Sequence, residues 1–154
     1  MMTKQELREQ LKQSMLAKDA LKTSVIRFVL SGITYYEINK GGAGYEATPE
    51  DVLAVIQKEV KQRRDSIVEF QKAGRQDLVD KEKSELDLLE KYLPEQMGEE
   101  EIKKLVEQAV TQTAAKSMAD IGKVMGALMP KVKAKADGNL VSSLVKTALT
   151  GNNS

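Results

Sequence analysis

Four lysines in the last third of the chain are the residues whose type and spacing best suit a binding role. Lys123 precedes the run K-V-K-A-K, in which Lys131, Lys133 and Lys135 alternate with apolar residues and no acid intervenes. Ammonium groups pair with phosphate oxygens, so such a run can contact a nucleic-acid backbone without reading its sequence. The alternative is that these lysines are solvated and complement the negative C-terminal end of a helix.

Composition excludes most standard catalytic and metal-binding chemistry. The 154 residues include no cysteine and no histidine. A thiolate nucleophile, an imidazole base, a disulfide and a zinc site of the usual type are therefore excluded. Acidic pairs such as Glu99 with Glu100 are expected on wet faces, where nothing would adapt a carboxyl group to acid catalysis. We expect no metal, no cofactor and no catalysis by this chain alone.

The overall balance of residues is typical of a soluble helical protein. Charged residues make up 31% and aromatic residues 4%, and the net charge of +1 argues against binding nucleic acid over the whole surface. No apolar run approaches the roughly 18 residues of a membrane span, so no membrane association is expected. The N-terminus, M-M-T-K-Q-E-L-R-E-Q, has no hydrophobic signal region. These features predict a cytoplasmic protein.

Helical periodicity predicts an all-α fold with two domains. Residues 1–96 are expected to form about four helices, including a long antiparallel hairpin that folds back at Gly74. Pro94 and Gly98 mark the boundary, and residues 97–154 are expected to form a small three-helix domain. The last four residues are expected to fray.

Capping residues predict where the N-terminal helices begin. Thr3 starts a capping box, Asp19 caps a helix from Ala20 to about Ile38, and Thr48 precedes a proline at the first turn of a third helix. In the second helix, the core-facing residues are predicted to be Leu21, Val25, Phe28, Val29, Ile33 and Tyr36. In the hairpin, the predicted partners of Arg63 and Arg64 are nearby acids, in solvated ion pairs rather than a binding patch.

The segment from Asp120 to Asn139 combines an apolar stripe with two glycines, a proline and a run of lysines. Ile121, Val124, Met125 and Leu128 have the spacing of one buried helix face, and Pro130 is predicted to stop this helix. Asp137 and Gly138 are predicted to begin the last helix.

Gly122 and Gly126 stand four residues apart on the same helix, so another backbone could approach its edge. Either a partner helix uses this edge or the glycines serve packing within the three-helix unit, and we favour packing. Met118, Met125 and Met129 are predicted to be core residues for the same reason.

Three stretches together resemble a known family. These are K-Q-R-R-D-S-I-V-E-F-Q-K-A-G-R-Q-D-L-V at 61–79, K-Y-L-P-E-Q at 91–96, and A-D-I-G-K-V-M-G-A-L-M-P-K-V-K-A-K-A-D-G at 119–138. They resemble the YqeY family of small bacterial proteins over nearly the whole chain. The C-terminal unit is also similar to the tail domain of GatB, the B subunit of the glutamine-dependent amidotransferase that converts misacylated Glu-tRNA(Gln) or Asp-tRNA(Asn).

The resemblance implies a two-part helical fold and a connection to tRNA-dependent amide chemistry. At family level this is a carbon–nitrogen ligase activity with glutamine as the amide donor. The residues that match the motif are Gly122, Lys123, Gly126, Pro130, Lys131, Lys133, Asp137 and Gly138. Neither the kinase-like GatB domain nor the Ser-Ser-Lys constellation of the amidase subunit is found, so catalysis by the isolated chain is not implied.

Two functional hypotheses follow. In the first, the chain is a tRNA-binding accessory module whose RNA-binding residues are Lys123, Lys131, Lys133 and Lys135. In the second, it is a helical adaptor that docks on a tRNA synthetase or an amidotransferase subunit, with the glycine edge and the methionines as the contact. The oligomeric state stays open.

Overall fold

The chain is all-helical in the computed structural model, which describes residues 1–151. No strand occurs in this range, and the predicted all-α class is confirmed. The helices are α1 (Lys4–Leu16), α2 (Ala20–Gly41), α3 (Pro49–Lys72), α4 (Gln76–Glu90), α5 (Glu99–Thr113), α6 (Ile121–Val132) and α7 (Gly138–Thr150), with a 3-10 turn at Met118–Asp120. Two compact units are present, Met1–Leu93 and Pro94–Ser154. Of the predicted frayed end, residues 152–154 lie outside the described part.

The caps of the first unit form as the sequence predicts. Thr3 and Thr48 each accept a hydrogen bond from the backbone three residues later, and the acid at that position bonds back to the cap. Asp19 accepts from the backbone N–H of Lys22 at 3.0 Å. The predicted end of α2 near Ile38 is three residues too early, because the residue that ends the helix is Gly42, whose positive φ of 71° is readily adopted by glycine.

The buried face of α2 differs in part from the prediction. Val25, Val29 and Ile33 are buried, and their i, i+4, i+8 spacing defines the face that packs inward. Leu21 and Phe28 are exposed instead, because they lie roughly a quarter turn away from that face. The core of this unit consists of Leu7, Val25, Ile26, Val29, Ile33, Val52, Val55, Ile56, Val60 and Leu89.

Helices α3 and α4 fold back on each other around Gly74, which has φ 69°. Arg63 donates through Nε to Glu85 at 3.2 Å and through Nη1 to the carboxylate of Glu59. The predicted ion pairing is therefore present, but the prediction that it is solvated is wrong for this arginine. Both Arg63 and Glu85 are buried, because Arg63 shares the inward stripe of Val60 and Ile67. A buried charge of this kind is tolerated only when it is paired and hydrogen-bonded.

A second buried charge, Asp51, ties the end of α2 to the start of α3. Its carboxylate accepts from the Tyr36 hydroxyl at 2.7 Å, the Lys40 ammonium at 3.0 Å and the Thr48 backbone N–H at 3.0 Å, and also from the Tyr45 hydroxyl. These donors, Tyr45 first, hold the pKa of Asp51 far below its usual range. The same carboxylate raises the pKa of Lys40. The loop between the two helices is thereby fixed to both of them.

The second unit is built from α5, α6 and α7, each of which packs on the other two. Its core consists of Ile102, Val106, Ala109, Val124, Leu128, Val132, Val141, Val145 and Leu149. Ser117 caps the 3-10 turn rather than α6 itself, accepting from the Ala119 N–H at 3.3 Å. The Asp120 carboxylate accepts from the Lys116 N–H at 3.0 Å. Helix α6 therefore begins only after the 3-10 turn, at Ile121.

The Asp51 network makes a pH-dependent contribution to stability. Because the folded state favours the charged carboxylate, its stabilisation is complete above the ordinary aspartate pKa of about 3.9 and is lost as the pH falls below that value. We expect Asp51→Asn to lower the free energy of unfolding at about pH 6 and to do so by clearly less at about pH 3, measured by urea denaturation. Glu50→Gln, at an exposed neighbouring acid, is the matched control. A deficit of Asp51→Asn that is equal at both pH values would contradict this account.

Candidate functional site

The lysine segment, residues 131–135, begins in the last turn of α6 and continues into the connection to α7. Pro130 does not stop α6 as predicted, because the helix runs to Val132. The ring nitrogen cannot donate to the carbonyl four residues earlier, but the following turn still closes, since the Lys133 N–H donates to the Met129 carbonyl at 2.9 Å. Lys131 is therefore held on a helical turn rather than in a free tail.

The backbone of the lysine segment is held from a distant part of the same unit. Gln96 donates through its side-chain amide to the Ala134 carbonyl at 2.9 Å. The Met97 backbone N–H donates to the Lys135 carbonyl at 2.8 Å. Ala134 is itself buried and has φ 67°, a conformation that an alanine adopts only at a cost in energy. The surrounding bonds hold it there, so the segment has one defined path.

This path separates apolar residues from charged ones. Val132 and Ala134 are buried, whereas Lys131, Lys133 and Lys135 are exposed. None of these three lysines forms an ion pair with any residue between 1 and 151. The structure thus presents three neighbouring cations that no acid of the described chain neutralises.

Lys123 differs from the other three predicted site lysines. It lies two turns earlier on α6, and its ammonium is 3.9 Å from the carboxylate of Asp120. The pKa of Asp120 is lowered, first by the hydrogen bond from the Lys116 N–H and also by the charge of Lys123. This carboxylate is therefore an anion that offsets the charge of Lys123. The structure groups Lys131, Lys133 and Lys135, and it leaves Lys123 apart from them.

The two glycines of α6 are exposed, and the predicted packing role is wrong. A Cβ placed on Gly122 or Gly126 would meet no atom within 4 Å. Successive steps of three or four residues lead from these glycines through the exposed Met129 to Lys133, so these four residues share one outward face. We call them the glycine face of α6. It offers bare backbone beside the lysine segment.

The other predicted residues of this segment lie at the core, on the surface or at the start of α7. Met125 packs partly buried against the core, but Met118 and Met129, also predicted to be core, are exposed. Asp137 caps α7 as predicted, accepting from the Asn139 N–H at 3.1 Å, and Gly138 is the first residue of that helix. These two residues fix where the connection from α6 ends.

The part of the chain that the structure describes contains neither a metal-binding cluster nor a membrane-spanning helix. No group of three or more acidic, cysteine or histidine side chains there could hold a metal ion. None of the helices between residues 1 and 151 combines the length and apolar character needed to cross a bilayer.

Sequence reasoning missed the residues that fix the lysine segment. Gln96 and Ala134 are 38 positions apart, and no local pattern links them. The alternation of lysine with valine and alanine is a usable signal, because the charged side chains stay in water and only the apolar residues between them can be buried. It would have indicated that Val132 and Ala134 face inward, although not which residues bind them.

The exposure of the glycine face gives a stability prediction. A glycine inside a helix costs about 0.5–1 kcal/mol relative to alanine when no packing requires it. We expect Gly122→Ala to raise the free energy of unfolding by about that amount, measured by urea denaturation. Gly32→Ala is the contrasting variant, because its Cβ would lie 2.9 Å from Val55 Cγ1 and should destabilise the protein. A loss of stability in Gly122→Ala would mean that this glycine is packed.

Comparison with known proteins places the chain in a family. Residues 4–149 match the family model described as Yqey-like protein. A relative from Pyrenophora tritici-repentis is 34% identical over 144 residues, 91% of this chain and 77% of its own length. One from Lachancea thermotolerans is 41% identical over 88 residues, 56% of this chain and 46% of the relative. One from Saccharomyces cerevisiae is 36% identical over 127 residues, 78% of this chain and 66% of the relative.

Each of these relatives is named "Altered inheritance of mitochondria protein 41, mitochondrial". The names contradict the predicted cytoplasmic location. The prediction was wrong because the absence of a hydrophobic signal region speaks against secretion only. Mitochondrial targeting segments are amphipathic and rich in arginine. The lack of a hydrophobic signal region therefore does not distinguish a mitochondrial protein from a cytoplasmic one.

The family match extends from α1 to α7. It includes the fixed lysine segment, the glycine face and the Asp51 network. The alignment with the relative from Pyrenophora tritici-repentis covers 91% of the chain. On these grounds the chain belongs to the YqeY family.

Proposed function

We propose that this protein is a tRNA-binding accessory module and that its lysine segment binds phosphates of the RNA backbone. The observation that carries the proposal is the group of three exposed lysines, Lys131, Lys133 and Lys135, without acidic partners between residues 1 and 151. A backbone fixed by Gln96 and Met97 bears them. Cations held in one arrangement lose less entropy when they bind a polyanion than cations on a mobile tail do.

The neighbouring surface supports contact with a bulky polyanion. The glycine face has no side chain at Gly122 or Gly126 that would keep a phosphate chain away from α6. Backbone atoms and lysines contact phosphate and sugar rather than base edges. The segment from Asp120 to Asn139 contains no arginine and no aromatic residue, so base stacking and bidentate readout have no residues there. The module would therefore bind the RNA backbone without recognising a particular base sequence.

The choice of tRNA as the RNA rests on resemblance. Residues 97–154 are similar to the tail domain of GatB, which helps to hold tRNA while amide transfer takes place on other domains. In this proposal the chain serves tRNA-dependent amide chemistry, with glutamine as the amide donor, without catalysing it alone. The absence of histidine and cysteine from the sequence agrees with an accessory role.

A second candidate function is that of a helical adaptor. The observation that favours it is the glycine face, where the exposed Met129 adjoins two positions with open space above the backbone. A partner helix of a tRNA synthetase or an amidotransferase subunit could approach closely at such a surface, and methionine adapts to varied apolar contacts. This binding would depend little on salt, whereas phosphate binding depends on it strongly.

A salt titration of tRNA binding tests the first function. Each phosphate contact contributes about 0.9 to the slope of log K against log salt on a duplex. We expect the triple variant Lys131→Ala, Lys133→Ala, Lys135→Ala to flatten this slope by about 2–3 units, measured by fluorescence anisotropy. The control is a triple variant with the same change of charge at Lys104, Lys116 and Lys146, which are exposed lysines of the same unit.

The two functions give different results in this experiment. An equal change of slope in both triple variants would show that only net charge matters and would contradict binding at the lysine segment. No binding at low salt would also contradict it. Capture of a synthetase or amidotransferase subunit that survives the lysine substitutions but is lost in Gly126→Lys would support the adaptor.

A further inference from the structure

Helix α2 has a second apolar face that the fold leaves exposed. Leu21, Phe28, Tyr35 and Ile38 are 39%, 53%, 67% and 62% exposed, respectively. With Ser24 and Ser31 they follow the alternating three- and four-residue steps of a heptad seam. We call these six residues the α2 seam. It extends over 17 residue steps, about 26 Å of helix.

The α2 seam is distinct from the face that packs into the unit. The inward face is formed by Val25, Val29 and Ile33, all fully buried. A surface helix normally shows one apolar stripe and an opposite polar face. Four large exposed side chains along one outward stripe, with two serines between them, are a mark of an interaction site rather than of a solvated surface.

The centre of the seam is held in place and lies between two grooves. The ring of Phe28 packs on the buried Arg63, whose guanidinium carbon is 5.6 Å from the ring centroid. A groove of about 700 Å³ runs along the α1 side of α2, and one of about 620 Å³ lies between α2 and α3. Phe28 and Ser31 line both grooves. A partner helix that crosses α2 here would find space on either side of a fixed aromatic ring.

We propose that the occupant of this surface is a second copy of the chain, with the two α2 helices antiparallel and a two-fold axis between Phe28 and Ser31. In this register Phe28 lies opposite Ser31 of the second copy. Tyr35 lies opposite Ser24 of the second copy, and Leu21 lies opposite Ile38. Each large aromatic residue thus faces a small one, so the seam is complementary to itself, as a two-fold interface requires.

The antiparallel direction is favoured over the parallel one by shape. A parallel pair would place Phe28 against Phe28 and Tyr35 against Tyr35, with paired serines left between them. In the antiparallel register a serine of the second copy faces each of these rings instead.

Cysteine cross-linking tests the register. The chain contains no cysteine, so every disulfide formed comes from the introduced residues. A mixture of Ser24→Cys and Tyr35→Cys proteins should form a disulfide-linked heterodimer on mild oxidation, because facing positions bring the Cα atoms near the roughly 7 Å limit. Ser24→Cys alone should not, since its two cysteines would be about 16 Å apart along the helix. Rapid cross-linking of Ser24→Cys alone, or none in the mixture, would overturn the proposal.

Sedimentation velocity tests the association itself. The full chain, of 17.0 kDa, should associate reversibly to twice its mass as concentration rises. Tyr35→Glu should weaken dimerisation by about 30-fold or more, because a charge would be buried opposite Ser24 of the second copy. Met129→Glu makes the same charge change at an exposed methionine outside the seam and should leave it unchanged. Circular dichroism checks that both variants fold. A single-copy mass at every concentration up to about 100 µM, or equal weakening in both variants, would overturn the proposal.

Discussion

Two hydrogen bonds from residues 96 and 97 determine what the second unit presents to its surroundings. They hold the carbonyls of Ala134 and Lys135, and Ala134 can then stay buried in a left-handed conformation. Without these donors, two carbonyls next to a buried residue would lack their partners, at a cost comparable to a lost hydrogen bond each. The same constraint turns Lys131, Lys133 and Lys135 outward. The proposed function of this unit therefore depends on a small set of hydrogen bonds whose donors lie far from the lysines in sequence.

In the first unit, buried charged groups likewise position parts of the surface. Arg63 and Asp51 are both buried, and each is surrounded by the partners that a buried charge needs. Arg63 also supports the exposed ring of Phe28, so a group inside the unit determines the shape of its surface. In both units, the residues that form the proposed binding surfaces are positioned by residues that would not themselves touch a ligand.

Local signals in the sequence predict much of the fold. The caps at Thr3, Asp19, Thr48 and Asp137 are all confirmed, because a cap depends on residues within one turn. The apolar stripe of α6, formed by Ile121, Val124, Met125 and Leu128, is confirmed in the same way. Burial that depends on another element is not predicted: Arg63 was expected in water and Met129 in the core. Pro130 was expected to end α6, but a break in one helical bond does not end a helix whose next turn closes.

The candidate site was predictable only in its residue types. The lysines were found from charge and spacing, yet the sequence does not show that Asp120 offsets Lys123 while the other three stay unpaired within residues 1–151. The sequence favours a packing role for Gly122 and Gly126, but a Cβ at either position would meet no atom within 4 Å. Both outcomes depend on how α6 is rotated relative to α5 and α7, which long-range packing decides.

The fixed lysine segment is the surface proposed to contact RNA. Lysine acylation of the full chain, with and without tRNA at low salt and read by mass spectrometry, measures this directly. We expect Lys131, Lys133 and Lys135 to lose reactivity when tRNA is present, whereas Lys104, Lys116 and Lys146 should keep theirs. Equal protection of both groups, or reactivity at the lysine segment that tRNA does not change, would contradict it.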